Sequence, residues 1–297
     1  MQSVLTLIAP EDTPLGDAIV GEVRAALNTL GAETSQPAWL CDGIATDISF
    51  EHLSNDQADA CARGILGSSP VDVIAQHTAT RRKSLLLADM DSTIVTSETL
   101  DDLAAHVGLR DEIAAITARA MNGELDFKEA LRERVGRLKG LSIDALESAW
   151  QEVELSKGAE TLVRTMAANG ARCVLVSGGF KFFTSRVAER CGFHEDLSND
   201  LVIADGKLTG AVTEPILDKD VKLQTLVEQA RRLGIALSDT VSVGDGANDL
   251  PMLKAAGLGV AYRGKPSVRI DAPAQLDHAD LTGLLYAQGY RVGEFVR

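Results

Sequence analysis

Asp89-Met90-Asp91-Ser92-Thr93 sets two carboxylates one residue apart, directly after the apolar run Leu85-Leu86-Leu87-Ala88. Side chains at i and i+2 of a strand share a face, so both acids converge on one crevice where the chain leaves a sheet. Two like charges held that close are costly unless a cation or a base balances them. A hard divalent ion acting with a phosphate ester is the economical counterpart, because such ions take oxygen ligands.

Three other clusters offer matching chemistry. Ser177-Gly178-Gly179 ends a second apolar run and supplies a hydroxyl and approachable backbone N–H groups, as a phosphate oxygen needs. Gly244-Asp245-Gly246-Ala247-Asn248-Asp249 ends a third run with two more acids and an amide, and Lys222 opens the amphipathic stretch between the two clusters. Each has a plain alternative taken singly: a turn with exposed acids, an ordinary glycine turn, a surface loop, a solvated lysine. Together they point to a single site, because open parallel sheets bind ligands at the carboxyl ends of their strands.

The elements that must carry these residues follow from periodicity. Leu85–Asp89, Arg172–Ser177 and Thr240–Asp245 read as strands of a sheet covered on both faces. A helical insert from Thr96 to about Lys157 is too long for a crossover and reads as a cap. Asp205-Gly206-Lys207 marks a hairpin between Leu201–Ala204 and Leu208–Val212. The expected fold class is α/β: a Rossmann-like parallel sheet core with a helical cap insertion.

The first 80 residues have a different grammar. A strand at Ser3–Ala9, a helix at Leu15–Leu30 ended by Gly31, strands at Pro37–Cys41 and Ile44–Phe50 joined by Asp42-Gly43, a helix capped at Ser54-Asn55-Asp56 and running to about Leu66, and a strand at Val71–Ala75 give βαββαβ. That order is ferredoxin-like. Two domains are expected, 1–80 and 81–297 with the cap at about 96–157, joined by Arg81-Arg82-Lys83 as a solvated linker. A structural or dimerising role and a ligand-sensing role both stay open for the first domain, since a fold assigns no function.

Composition narrows the partners. The 297 residues, 45% hydrophobic and 24% charged, are ordinary for a globular protein. A net charge of −14 argues against nucleic acid and anionic membrane as partners, but a bound metal and a few cations can still attract a small anion. No apolar run approaches the roughly 18–20 residues of a membrane span, and Met1-Gln2-Ser3-Val4 lacks the features of a signal peptide. Cys41, Cys61, Cys173 and Cys191 show no metal-type spacing and read as reduced thiols of a cytoplasmic protein.

Asp89-Met90-Asp91-Ser92-Thr93, Ser177-Gly178-Gly179, Lys222 and Gly244-Asp245-Gly246-Ala247-Asn248-Asp249 resemble, in order and spacing, the four motifs of the haloacid-dehalogenase-like phosphatases. More narrowly the chain resembles the phosphoserine phosphatase family, from about Ser84 to about Asp280 and including the cap. The resemblance implies hydrolysis of O-phospho-L-serine, the last step of L-serine biosynthesis. Asp89 would be the nucleophile, Asp91 the general acid and base, and Lys222 the neutralising cation. It implies Mg²⁺ on the Asp89 carboxylate, the Asp91 backbone carbonyl and Asp245, with Asp249 orienting the metal's water shell. Ser177, Gly178, Gly179 and Asn248 would bind the phosphoryl group.

For the cap, residue type alone leaves Glu98 as a first-turn helix acid capped by Ser97, Arg134 as part of an exposed salt-bridged face, and Met121 and Phe127 as core. The resemblance makes all four substrate-binding, with Glu98 on the ammonium and Arg134 on the carboxylate. Three alternatives are a phosphatase or phosphotransferase for another phosphorylated amine or alcohol, a dehalogenase, and an amino-acid-binding regulator with a silent phosphatase domain. The dehalogenase is disfavoured because it needs neither Asp91 nor a Mg²⁺ site at Asp245, and the intact acids argue against a silent domain. A homodimer is left open.

Overall fold

The computed structural model describes residues 2–121 and 125–297, except the side chains of Ala118, Ala120, Met121 and Lys219. The N-terminal part runs β1 (Ser3–Ile8), α1 (Asp17–Thr29), β2 (Glu33–Thr34), β3 (Ala38–Cys41), β4 (Ala45–Glu51), α2 (Asn55–Leu66) and β5 (Asp72–His77). Its antiparallel sheet has the order β2-β4-β1-β5, with β3 also on β4; β3 is the expected second strand, and the two-residue β2 before it is an addition the sequence did not signal. Ser54 caps α2 as the sequence predicts, and Gln57 completes a reciprocal capping box with it.

The larger part begins with β6 (Leu85–Ala88). Four helices follow, α3 (Thr99–His106), α4 (Arg110–Met121), α5 (Phe127–Arg137) and α6 (Ile143–Gln151), which make up the cap. Next come α7 (Ala159–Ala168), β7 (Arg172–Phe180), α8 (Lys181–Cys191) and β8 (Glu195–Asn199), then the hairpin β9 (Leu201–Ala204) and β10 (Lys207–Val212). The chain closes with α9 (Lys219–Leu233), β11 (Thr240–Gly244), α10 (Leu250–Ala255), β12 (Leu258–Tyr262), α11 (Pro266–Asp271), β13 (Ala274–Leu276) and α12 (Gly283–Ala287). Six parallel strands lie in the order β13-β12-β11-β6-β7-β8. After β6 the chain builds outward on one side through β7 and β8, then on the other through β11 to β13. The switch point is therefore the carboxyl end of β6, where such sheets open a crevice.

Strand alternation splits the apolar residues between two layers. Leu86, Ala88, Cys173 and Leu175 join the core under α7, α8 and α12, while Leu85, Leu87, Val174 and Val176 join the one that includes Leu226 of α9 and Met252 of α10. This two-sided burial explains why the runs read as continuously hydrophobic. Burial pushes the Cys173 and Cys191 thiols up to about 12, which leaves them unreactive.

The same alternation governs β1. Leu5 and Leu7 face α1 and α2, whereas Ile8 joins Leu284, Leu285 and Tyr286 in the core of the larger part. The first sheet thus has no free face, and the segment that follows it is not a solvated linker. Arg81 forms a bidentate pair with Asp47 at 2.6 and 2.7 Å and also donates to Ala287 and Tyr286 carbonyls. Lys83 is buried and donates to the Ser238 carbonyl; burial lowers its ammonium to about 8. Asp72 accepts the backbone N–H groups of Asp277, His278 and Ala279. Sequence reading misses this because a basic triplet looks the same whether its partners are water or distant carbonyls. Among the described residues no helix is long and apolar enough to cross a membrane.

Arg81→Ala would leave the Asp47 carboxylate buried without its cation, a loss that costs about 3–5 kcal/mol in comparable pairs. The expected result is a lowered urea midpoint with turnover close to that of the unaltered protein; an unchanged midpoint would show that the tie carries no stability.

Candidate active site

Each strand of the switch point delivers one cluster. β6 ends at Ala88, so Asp89 is the first residue beyond the sheet, and the chain coils through Met90–Ile94 with Ser92 at φ +55°. β7 runs on to Phe180 rather than ending at Ser177. Its pairing with β8 is interrupted between Val176 and Phe180, which puts Ser177-Gly178-Gly179 in a bulge. Buried Asn199 holds that bulge by donating to the Gly178 carbonyl at 2.9 Å. It also binds Leu217 in both directions, which ties the bulge to the loop leading into α9.

At the centre, Lys222 in the first turn of α9 puts its Nζ 2.7 Å from Asp89 Oδ1 and 2.6 Å from Asp249 Oδ1. All three side chains are buried. Asp249 Oδ2 accepts the Gly246 N–H, so both of its oxygens are engaged; Asp89 Oδ1 also accepts the Met90 N–H. Burial, then Asp249, hold the Asp89 carboxyl well above the usual carboxylate range, with Lys222 pulling the other way. Burial opposes the charge on Lys222, but Asp249 and Asp89 outweigh it and raise the ammonium above its ordinary value. Asp245, buried at the end of β11, is likewise raised, first by burial.

Asp91 is aimed by three donors. The Thr99 N–H and hydroxyl reach Oδ1 at 2.9 and 2.8 Å, and the Ser177 hydroxyl reaches Oδ2 at 3.1 Å. Burial lifts its carboxyl above the usual range against those hydrogen bonds, so it keeps a proton to higher pH than a free aspartate. The Gly179 N–H donates to Ser177 Oγ, and a Cβ at Gly179 would sit 3.0 Å from Asp91 Oδ2, so its contribution here is space.

Single donor atoms of Asp89, Asp245 and Asp249 all lie within 4.8 Å of one another. Three buried carboxylates around one ammonium leave an excess of negative charge in a poorly solvated place. Hard oxygen donors with that excess fit a hard divalent cation.

The cap closes a cavity of about 160 Å³ over these groups, and it opens into a larger cleft of about 910 Å³. Ion pairs Lys128–Asp218 at 3.0 Å and Arg132–Glu214 at 2.7 Å tie α5 to the loop before α9. The sequence alternatives for the cap resolve differently from residue to residue. Glu98 is itself the N-cap of α3, makes no capping bond, and lines the cavity with Ser92 Oγ 3.0 Å from its carboxylate. Ser97 instead bonds Asp102. Arg132 and Glu133 do lie on an exposed ion-paired face, but Arg134 turns inward to line the cavity and has no ion pair among the described residues. Phe127 is 39% exposed rather than core and lies over Gly178. Gly178 and Asn248 also line the cavity, while the Met121 side chain lies outside the described residues.

Thr99, Asn199 and Lys265 were not singled out by sequence reading. Lys265 Nζ lies 3.4 Å from Asp245 Oδ2 and 3.9 Å from Glu98 Oε1. A lysine before a proline in a loop carries no sequence signal of its own. Its place beside Asp245 comes from β12 lying parallel to β11 and from the Lys265 N–H bonding the Asp245 carbonyl.

The haloacid dehalogenase-like hydrolase family model matches residues 86–254. A phosphoserine phosphatase from Streptococcus thermophilus is 46% identical over 199 residues, 67% of this chain and 93% of that protein. One from Archaeoglobus fulgidus is 42% identical over 216 residues, 72% of this chain, and the match spans 63% of that protein's length. Among solved structures, a probable phosphoserine phosphatase from Vibrio cholerae, in unliganded form, superposes with a TM-score of 0.80 at 30% identity, covering 98% of this chain and 88% of that one.

A Cβ at Gly244 would lie 2.4 Å from the Asp249 carboxylate, which is pinned by Lys222 and cannot yield cheaply. Gly244→Ala is expected to displace that carboxylate and cut turnover on any substrate by about 100-fold, the cost of roughly 1 Å of misplacement. Steady-state rates on a protein with unaltered circular dichroism would check it.

Proposed function

The chain belongs to the haloacid dehalogenase-like hydrolase family, and from that membership we propose that it hydrolyses O-phospho-L-serine to L-serine and phosphate. The observation that carries the reading is the charge pattern of the cavity. Glu98 and Arg134, which has no ion pair among the described residues, line the same small space as Asp89 and Asp91, which matches an ammonium, a carboxylate and a phosphate on one small molecule. The likeness to phosphoserine phosphatases over the whole core and cap supports it.

In this reading Asp89 attacks phosphorus, the bond from phosphorus to the serine oxygen breaks, and Asp91 gives its proton to the departing oxygen. The aspartyl-phosphate is then opened by a water whose proton goes to Asp91, releasing phosphate and restoring Asp89. Lys222 offsets the charge on Asp89 and the phosphoryl oxygens, and Asp249 holds Lys222 in place. Ser177, Gly178 and Asn248 donate to the phosphoryl group, with Gly179 keeping the approach clear. Mg²⁺ bound through Asp89, Asp245 and the Asp91 carbonyl, with Asp249 behind them, would screen the phosphoryl charge. Glu98 takes the ammonium and Arg134 the carboxylate, while Phe127 and Met121 exclude water.

The same reading takes residues 1–80 as a ferredoxin-like domain and 81–297 as the phosphatase domain with its cap at about 96–157. It makes the protein a cytoplasmic enzyme of L-serine biosynthesis.

Phosphate release from a panel of phosphoesters tests the proposal. O-phosphoserine is expected to lead the panel, activity to vanish on chelation and return with Mg²⁺, and Asp89→Asn to abolish turnover in a folded protein. Substantial activity in Asp89→Asn would sink the covalent route. Arg134→Ala should weaken phosphoserine by about 10–150-fold, the worth of one charge-assisted contact, and leave phosphoethanolamine largely unaffected; equal losses on both would refute the carboxylate role. Mg²⁺ at about 100 times its dissociation constant should add about 2.7 kcal/mol to stability. Asp245→Asn should lose that gain in thermal melts.

A further inference from the structure

Lys265 stands where two acids with different tasks come close. Its Nζ is 3.4 Å from Asp245 Oδ2, in the acid cluster under the cavity, and 3.9 Å from Glu98 Oε1, at the edge of the cap. Its backbone is fixed independently of the side chain, because the Lys265 N–H donates to the Asp245 carbonyl at 3.0 Å and Lys265 is the residue just before α11. The ammonium is therefore presented to both acids by β12 and α11, elements that supply nothing else to the cavity.

The charge balance of the cavity depends on it. Asp89, Asp91, Glu98 and Asp245 line the space, and the lining cations are Arg134 and Lys265. Arg134 comes from the cap and Lys222 sits behind Asp89, so Lys265 is the nearest cation to Glu98 among the described ion pairs. Among the described residues the hydrogen-bond donor to Glu98 is the Ser92 hydroxyl, and the Arg134 guanidinium acts on it from farther off. We propose that Lys265 is a specificity-determining residue, a resident counter-cation that keeps Glu98 balanced until the ammonium of the substrate takes its place.

The inference rests on phosphoserine being the substrate, and it sets how strictly the site demands an amine. A phosphoester without an ammonium leaves Lys265 as the partner of Glu98, so the unaltered site tolerates it. Without Lys265 the same ester leaves the half-exposed Glu98 carboxylate without its nearest cation, whereas phosphoserine brings its own. Selectivity for the amine should then rise. The change should fall on KM rather than kcat, because neither Lys265 nor Glu98 touches the reacting atoms.

The test compares O-phosphoserine with 3-phosphooxypropanoate, which keeps the phosphate and carboxylate and lacks only the ammonium. Both are measured at saturating Mg²⁺ on the full chain, as unaltered protein, Lys265→Met and Lys265→Arg. In Lys265→Met the ratio of kcat/KM for phosphoserine to that for the analogue is expected to rise about fivefold, the upper worth of a half-exposed ion pair. The rise should come through KM of the analogue, and Lys265→Arg should stay near the unaltered ratio. A ratio that stays within twofold in Lys265→Met, or moves equally in Lys265→Arg, overturns the proposal. If the unaltered protein does not hydrolyse phosphoserine, the functional reading fails and takes this inference with it. Normal phosphoserine hydrolysis with an unmoved ratio removes the Lys265 role alone.

Discussion

The buried Lys222 ammonium, shared between Asp89 and Asp249, is the interaction on which the rest of the site depends. Three charges taken out of water cost several kcal/mol each unless geometry and hydrogen bonds repay them. Here the repayment is near-complete: the ammonium has two carboxylates, Asp249 also has the Gly246 N–H, and Asp89 the Met90 N–H. Asp245 nearby adds a third carboxylate that only the half-exposed Lys265 ammonium partly offsets, and the remaining excess is what makes the place suited to a hard cation. The glycines around it follow from the same crowding. Gly244 and Gly246 have no room for a Cβ because Asp249 and Asn248 press against them.

Core and cap divide the chemistry. The sheet supplies the groups whose positions must be fixed to fractions of an ångström, each at a strand end or in the first turn of a helix. The cap supplies Glu98, Phe127 and Arg134, which line the other side of the cavity. Ion pairs between α5 and the loop before α9 are exposed and so individually weak. Lys265 belongs to neither group by chain position, yet it links them electrically through Asp245 and Glu98.

The N-terminal sheet is docked by contacts of a different kind. Arg81 and Asp72 satisfy buried backbone groups across the junction, and Ile8 and Ile74 enter the main core. These attachments converge on residues 277–287, which follow β13 at the edge of the parallel sheet. A module fixed this way is part of the catalytic unit's stability whatever else it binds.

Sequence alone determined a good deal here. Apolar runs ended by Asp, Gly and Ser specified strands with polar carboxyl ends, and the order of motifs specified which ends would meet. It also determined the βαββαβ pattern, because period-2 and period-3.6 signals are local. What it left open was every question whose answer is a distance. Whether Arg134 or Arg132 turns inward depends on how α5 docks. Whether Arg81 is solvated depends on carbonyls about 200 positions away, and Lys265 matters only because β12 lies beside β11. Local patterns encode which face of an element is apolar. Only tertiary packing decides which charges are stripped of water together.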